Sequence, residues 1–382
     1  MVAAITAVVV LAGVIAVSVM QQPGHCRACS LPDVPPSGIQ VQFVGDWGRG
    51  GVVEQTSVAA AMRCDASRWS AKGIDTEATV STGDQFYDNG VSSASDPQWA
   101  SSWSGVYPRG ALSGVPFIGC LGNHDLRGSV EAQTSLAANA VAEWRMPGRY
   151  FSHRACMTGS PGRRAALSAR GPGGAMRGTA TANDTARGCV CVAVVDTTPL
   201  LRSMRERPGD EWAVLRANCA SLDRPAMLSW LANTTAEFQR LGCARSVVVG
   251  HHPIVSGGEH GNHSEVAAAL MPAMEGKVDA YVSGHDHMQQ VSTIPSPAGA
   301  PVQVVTGAGS TTRPDSTFPA PSSLWTSSRS GFAALTLTRI GGGWDRGDFN
   351  ATMRLTEVPV PFSAASGSEC PSGGFRFSVP RL

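Results

Sequence analysis

Thr79-Val80-Ser81-Thr82-Gly83-Asp84-Gln85-Phe86-Tyr87-Asp88 is a short β-branched run that ends in a glycine and a cluster of polar side chains. The same grammar recurs along the chain. Ile39–Val44 leads into Gly45-Asp46-Trp47-Gly48, and Val115–Leu121 into Gly122-Asn123-His124-Asp125. Ser246–Val249 leads into Gly250-His251-His252-Pro253, and Ala280–Ser283 into Gly284-His285-Asp286-His287. Val190–Val195, Val302–Thr306, Phe332–Thr338 and Met353–Val358 read as further strands. Met227, Leu231, Phe238 and Leu241 recur at helical spacing, as do Val266, Leu270 and Met274. Strands alternating with helices predict an α/β fold around a largely central sheet. In open α/β sheets, sites form at the carboxyl ends of strands. Glycine there lets the backbone turn sharply and keeps space for a ligand. One Gly-Asp pair is ordinarily a turn; five clusters, each directly after an apolar run, are a pattern. Six of the nine histidines (124, 251, 252, 260, 285 and 287) fall in or beside these clusters.

The rest of the chain sets the context. At about 150 residues per domain, 382 residues permit two domains, and one large α/β layer fold fits equally well. Charged residues make up 15% against a usual level of roughly 25%. The net charge is +1, which excludes a basic nucleic-acid binder and an acidic tail protein. Hydrophobic residues at 42% can build a sizeable core. Only Lys72 and Lys277 are lysines, a bias we read as compositional.

Val2 to Met20 carries no charge and approaches the roughly 20 residues of a membrane span. A signal anchor and a cleaved signal peptide both fit residues 1–20, and either sends the chain into the secretory pathway. The expected product is secreted, lysosomal or membrane-anchored, with its folded part on the lumenal or extracellular side. Ten cysteines agree with an oxidising compartment. So do four N-glycosylation patterns, at Asn183, Asn233, Asn262 and Asn350. Cys26 and Cys29 read as a loop or stalk disulfide. Residues 21–38 read as a linker, 39–358 as the folded domain and 359–382 as a peripheral tail. Residues 154–188, rich in Arg, Gly, Ala and Ser, read as a flexible insertion. Cys156 and Cys189 bracket 32 residues of it, which predicts a disulfide at its base, with Cys191 as the alternative partner. Residues 201–222 form a second polar, irregular stretch.

The clusters hold carboxylates, imidazoles, an amide oxygen and a phenol, and no cysteine. Such donors suit iron, zinc or manganese rather than a thiolate zinc site. About seven side chains in these clusters are candidate ligands. They are too many for one ion and enough for two if a carboxylate bridges, and two ions roughly 3.5–4 Å apart form the usual clamp for phosphoryl transfer.

This ordered set resembles the calcineurin-like metallophosphoesterase superfamily. The tyrosine of Gly83-Asp84-x-x-Tyr87 and the later His251-His252-Pro253 and Gly258-Glu259-His260-Gly261 resemble purple acid phosphatases, above all the small tartrate-resistant type. The similarity runs from Ile39 to Val358, interrupted by 154–188. It implies a four-layer α/β/β/α sandwich with a dinuclear metal site at the strand C-terminal ends. It implies Asp46, Asp84, Tyr87 and His287 as ligands of Fe(III). Asp84, Asn123, His251 and His285 would hold a divalent Fe, Zn or Mn, with Asp84 bridging. It implies an acid phosphatase in which a metal-bound hydroxide attacks phosphate monoesters, small molecules or phosphopeptides. His124 would contact the substrate and donate a proton, with His260 a second candidate. A monomer is expected.

Gln85 and His252 depart from the family pattern beside ligand positions. The animal type's disulfide has no counterpart, because Leu200 and Glu265 stand near those places. The stretch 201–222, with Arg205-Glu206-Arg207-Pro208, matches an exposed loop near the site. Asp88, Asp125 and Asp286 are expected to orient ligands rather than ligate. Two other readings remain: a phosphodiesterase or nucleotide pyrophosphatase, against which Tyr87 speaks, and a non-catalytic surface-binding protein, against which the complete ligand set speaks.

Overall fold

The motif-bearing strands divide between two seven-stranded sheets. The computed structural model describes residues 38–135, 143–157, 185–296, 299–340, 343, 345–363 and 369–380. The uncharged segment Val2–Met20, the Cys26/Cys29 pair, most of the 21–38 linker, the bulk of the 154–188 insertion and Asn183 lie outside them.

The first sheet is centred on β1 (Gly38–Val44), which pairs in parallel with β2 (Ile74–Ser81). Next come the two-residue strands β3 (Phe117–Ile118) and β4 (Trp144–Arg145). On its other side β1 pairs antiparallel with β12 (Gly331–Arg339), which continues to β13 (Phe349–Glu357) and β14 (Gly374–Ser378). The core of the second sheet is parallel: β6 (Cys189–Val195), β7 (Arg245–Val249), β8 (Ala280–Ser283) and β10 (Val302–Thr306). Antiparallel strands close both edges, β5 (Tyr150–Cys156) at one side, β9 (Gln289–Thr293) and β11 (Ser323–Ser327) at the other. Parallel strands point the same way, so the loops after β1, β2 and β3, and those after β7 and β8, gather at one edge of each sheet.

Helices cover the outer faces. α1 (Val53–Ser70) lies on the first sheet through an alanine-rich buried face, Ala59 to Met62. Along β1, Ile39, Val41 and Phe43 alternate with Gln40 and Gln42, so they face opposite sides. The glutamines are buried beneath α1: Gln40 Nε2 donates to Asp65 at 3.0 Å and Gln42 Nε2 to the Met62 carbonyl at 3.0 Å. The apolar side therefore faces the second sheet. There β1 and β2 approach β5, and β12 approaches β10.

Further along come α2 (Val130–Thr134), α3 (Arg202–Arg205), α4 (Ala213–Ala220), α5 (Arg224–Arg240) and α6 (Ser264–Met274). α5 starts where Asp223 accepts from Ala226 N at 3.0 Å, with Pro225 in its first turn. α5 packs on β6, β7 and α6. The result is the α/β/β/α sandwich expected from the sequence.

Three differences stand out. The run Val115–Leu121 contributes only Phe117–Ile118 to the sheet. Residues 201–222, expected to be irregular, hold α3 and α4. Strand β14 adds to the first sheet from within the segment read as a peripheral tail.

Cys156 bonds Cys189, as the bracketing cysteines predicted. They are direct cross-strand partners on β5 and β6. Closing a loop of this length stabilises by roughly 3 kcal/mol in the chain-entropy account. Cys191, the alternative partner, bonds Cys243, and Cys64 bonds Cys370. Bonds of this kind form and persist in oxidising compartments. Among the described residues no helix is long and apolar enough to cross a membrane.

Candidate metal centre

The seven candidate ligands arrive on five loops and meet between the two sheets. The Tyr87 hydroxyl lies 2.9 Å from Asp46 Oδ1, 3.1 Å from Asp84 Oδ2 and 3.1 Å from His287 Nε2. His287 Nε2 is 3.5 Å from Asp46 Oδ1. On the other side of Asp84, His251 Nε2 lies 3.4 Å from Asp84 Oδ2, 3.1 Å from Asn123 Oδ1 and 3.2 Å from His285 Nδ1. Asp84 Oδ2 is thus shared by two groups of donors. All seven residues are buried.

Local backbone shape makes this convergence. Asp46 (φ 59°), Asp84 (φ 51°) and His285 (φ 71°) are non-glycine residues in the left-handed region. Such residues cost on the order of 1–3 kcal/mol each and concentrate at functional sites. The glycines beside them are equally constrained. A Cβ on Gly122 would collide with Asp84 Oδ1, and one on Gly284 with Asp46 Oδ2. The space kept by the missing side chain is filled by the carboxylate of a candidate ligand.

Supporting hydrogen bonds hold the donors. His285 N donates to Asp46 Oδ2 at 2.9 Å, and His124 N to Asp84 Oδ1 at 2.8 Å. His251 Nδ1 lies 2.9 Å from the Thr82 carbonyl. Asp125 accepts from Gln85 N at 3.0 Å and Gly122 N at 2.8 Å, fastening two ligand loops together. Asp286 accepts from Ser256 Oγ and His260 N, and its Oδ1 lies 2.8 Å from His260 Nδ1. Asp88 acts differently: its carbonyl, not its exposed carboxylate, meets His124 Nδ1 at 2.6 Å.

The electrostatics ask for positive charge. Burial raises the Tyr87 hydroxyl well above the ordinary phenol range, and the carboxylates of Asp46 and Asp84 add to it. Burial pushes Asp84 up, but His251 and His124 outweigh it and hold the carboxyl low. Burial pulls His251 down, but Asp84 outweighs it and raises the imidazole to about 10. Burial, then the surrounding histidines, hold His285 well below its ordinary value.

His124 and His260 flank the cluster. His124 Nε2 is 3.8 Å from Asp84 Oδ2. The His260 ring lies 4.0 Å from that of His285, and its Nε2 is 3.3 Å from Glu259 Oε1.

Sequence reasoning placed His252 beside the ligands without giving it a role, and passed over two arginines. His252 groups with His251 and His285 in metal-binding proximity. Its Nδ1 meets Thr197 Oγ1 at 2.9 Å, and its buried Nε2 has no hydrogen-bond partner. The guanidinium of Arg49 covers the Tyr87 ring at 3.7 Å. Arg127 lies beside His124. The position of His252 within the Gly-His-His-Pro cluster was a usable signal; the arginines had none, being hidden among 28 in the chain.

No family model matches the chain. It is 31% identical over 280 residues to purple acid phosphatase 4 of Arabidopsis thaliana, covering 72% of the chain and 69% of that relative. It is 27% identical over 275 residues to tartrate-resistant acid phosphatase type 5 of Homo sapiens, covering 68% of the chain and 70% of that protein. A solved structure described as GAP50, the anchor in the inner membrane complex of Plasmodium, shares the fold with a TM-score of 0.61 at 20% identity, covering 89% of each chain. With two thirds of the Arabidopsis relative matched at that identity, and with the donor set in place on the expected loops, the chain belongs to the purple acid phosphatase family.

Proposed function

We propose that this chain is a metal-dependent acid phosphatase that hydrolyses phosphate monoesters at a dinuclear centre between its two sheets. The observation that carries the reading is the shared Asp84 carboxylate, with a phenol, a carboxylate and an imidazole on one side and two imidazoles and an amide on the other. The donor chemistry fits two ions. Two buried carboxylates around a phenol leave negative charge uncompensated, and the raised His251 holds a proton where a cation would sit. Tyr87, Asp46, His287 and Asp84 would hold Fe(III), and Asp84, Asn123, His251 and His285 a divalent Fe, Zn or Mn. Two ions there would supply Lewis acidity toward phosphate oxygens and a water acidic enough to serve as nucleophile at low pH.

The chain's own residues complete the site. His124 stands beside Asp84 with Nδ1–H donated to the Asp88 carbonyl, so Nε2 is directed toward Asp84 and Arg127. His260 is aimed by Asp286, which receives its Nδ1–H. Either ring can carry a proton to the leaving oxygen. The three disulfides among the described residues support a life in the secretory pathway, to which Val2–Met20 would deliver the chain. The anchor named above shares only the fold, and fold alone does not separate catalysis from scaffolding; the filled donor set favours catalysis.

Metal analysis of purified protein, with assays on alkyl and nitrophenyl phosphates, tests this. Two ions per chain including iron, with activity in acid, is the expected result. Protein without metal and without hydrolysis would refute it.

A further inference from the structure

Beside the donor cluster sits a group of positive side chains with no role so far. Arg127 follows His124 by three residues, and its Nη2 lies 3.4 Å from His124 Nε2. Its Nη1 reaches the Asp88 carbonyl at 3.4 Å. Its guanidinium packs on the Trp212 indole, 4.6 Å from the ring centroid, and Arg207 packs on the same ring at 3.8 Å. Trp212 lies just before α4 and Arg207 just after α3, so the pair comes from the stretch that was expected to be irregular.

Two cations on one aromatic ring each gain attraction from it but repel one another. Burial lowers Arg127, Asp84 opposes that, and Arg207 adds to the lowering. The buried Nε of Arg127 has no hydrogen-bond partner, a cost for a group built to donate. The Asp88 carboxylate lies 3.8 Å from Arg49 instead. A guanidinium with an unused donor matches a phosphate dianion, which it can grip in bidentate fashion. The place of Arg127 is next to His124, a candidate proton donor to the leaving group. An anion held there would belong to the leaving half of the substrate.

We propose that Arg127, positioned by Trp212 and reinforced by Arg207, is a specificity determinant that binds a second phosphate on the leaving group. The site would then favour substrates with two phosphates close together over simple monoesters. This rests on the phosphatase reading above and refines its substrate class.

The test pairs Arg127→Gln and Arg207→Gln with two substrates, inorganic pyrophosphate and glycerol 2-phosphate. A parallel calorimetric titration uses methylene diphosphonate against methylphosphonate. Arg127→Gln should lower the pyrophosphate-to-glycerol-phosphate ratio of kcat/KM about tenfold, with a matching fall in the diphosphonate-to-monophosphonate affinity ratio. Arg207→Gln should lower both ratios a fewfold. Metal content and thermal midpoint should match the wild type. An equal loss on both substrates, with the affinity ratio unchanged, would show that Arg127 acts only through His124 and overturn the proposal alone. Unchanged ratios in both variants would also overturn it. A wild type that binds no metal and hydrolyses neither ester would overturn the phosphatase reading, and this one with it.

Discussion

The two sheets contribute different chemistry to one site. Loops after β1, β2 and β3 of the first sheet bring oxygens: Asp46, Asp84, Tyr87 and Asn123. Loops after β7 and β8 of the second bring nitrogens: His251, His285 and His287. Neither half is a complete site. The halves are joined by direct contacts, His285 N to Asp46, His251 to Asp84 and Asn123, and His287 to Tyr87. The strained residues lie in both, Asp46 and Asp84 in one and His285 in the other. The lesson is that the oxygen half supplies the carboxylates and the nitrogen half the imidazoles, so damage to each should look different.

The largest effect should come from Asp84, the one side chain that touches both donor groups. Asp84→Ala should lose both metals and essentially all activity. Retention of a full metal complement in this variant would break the picture of a shared carboxylate. His124 comes next, since it flanks the oxygen half without belonging to it. His124→Ala should keep both ions yet lose roughly 10²–10⁴-fold in rate. The loss should be smaller for nitrophenyl phosphate, whose leaving group needs little protonation. Equal losses on alkyl and nitrophenyl esters would reduce His124 to a phosphate contact and make His260 the acid. A lost ion would remove His124 from the flank and place it among the ligands.

Tyr87 sharpens the contrast through colour. A phenolate on Fe(III) absorbs in the visible, so the protein should be purple or pink. Tyr87→Phe should bleach it and shift the thermal midpoint by no more than a few degrees. An iron-replete wild type without colour would remove the tyrosine from the oxygen half.

The smallest effect lies in the second sheet, away from the joint. Burial pulls His153 on β5 down to about 4, with Arg145 and Arg154 adding to it. Its value in the unfolded chain is about 6.5. As pH falls through 6.5 the unfolded state takes up the proton first, so stability present above that pH is lost between about 6.5 and 4. His153→Gln should shrink the loss of stability between pH 7.5 and 5 by about 1 kcal/mol, discounted for the partial exposure of the ring. Denaturant melts at the two pH values would check it, and an unchanged difference would remove His153 from the acid sensitivity.

Legibility followed the same physics. β1, β6, β7, β8 and β10 announced themselves as apolar runs because both of their faces are covered. β9, Gln-Gln-Val-Ser-Thr, gave no such signal. It is buried because the side chain of Gln289 donates to the Thr356 carbonyl at 3.2 Å and that of Gln290 to Ser323. Such partners exist only once distant strands are in place. β3 was over-read, since five of the seven residues assigned to it form approach and turn rather than ladder. The Cys156–Cys189 bond was readable because its loop is local, whereas Cys64–Cys370 spans 306 positions and carries no local signature.

The amino-acid order by itself determined the candidate donors, because the five clusters that hold them each follow a strand and a glycine in a motif that short-range chemistry makes readable. It also determined the alternation of strand and helix, through hydrophobic period. Only the tertiary structure decided which donors share Asp84, which carboxylate aims His260, and that Arg127 and Arg207 meet on Trp212. Those are contacts between residues up to 167 positions apart, and packing of two sheets, not any local preference, brings them within hydrogen-bonding or stacking distance.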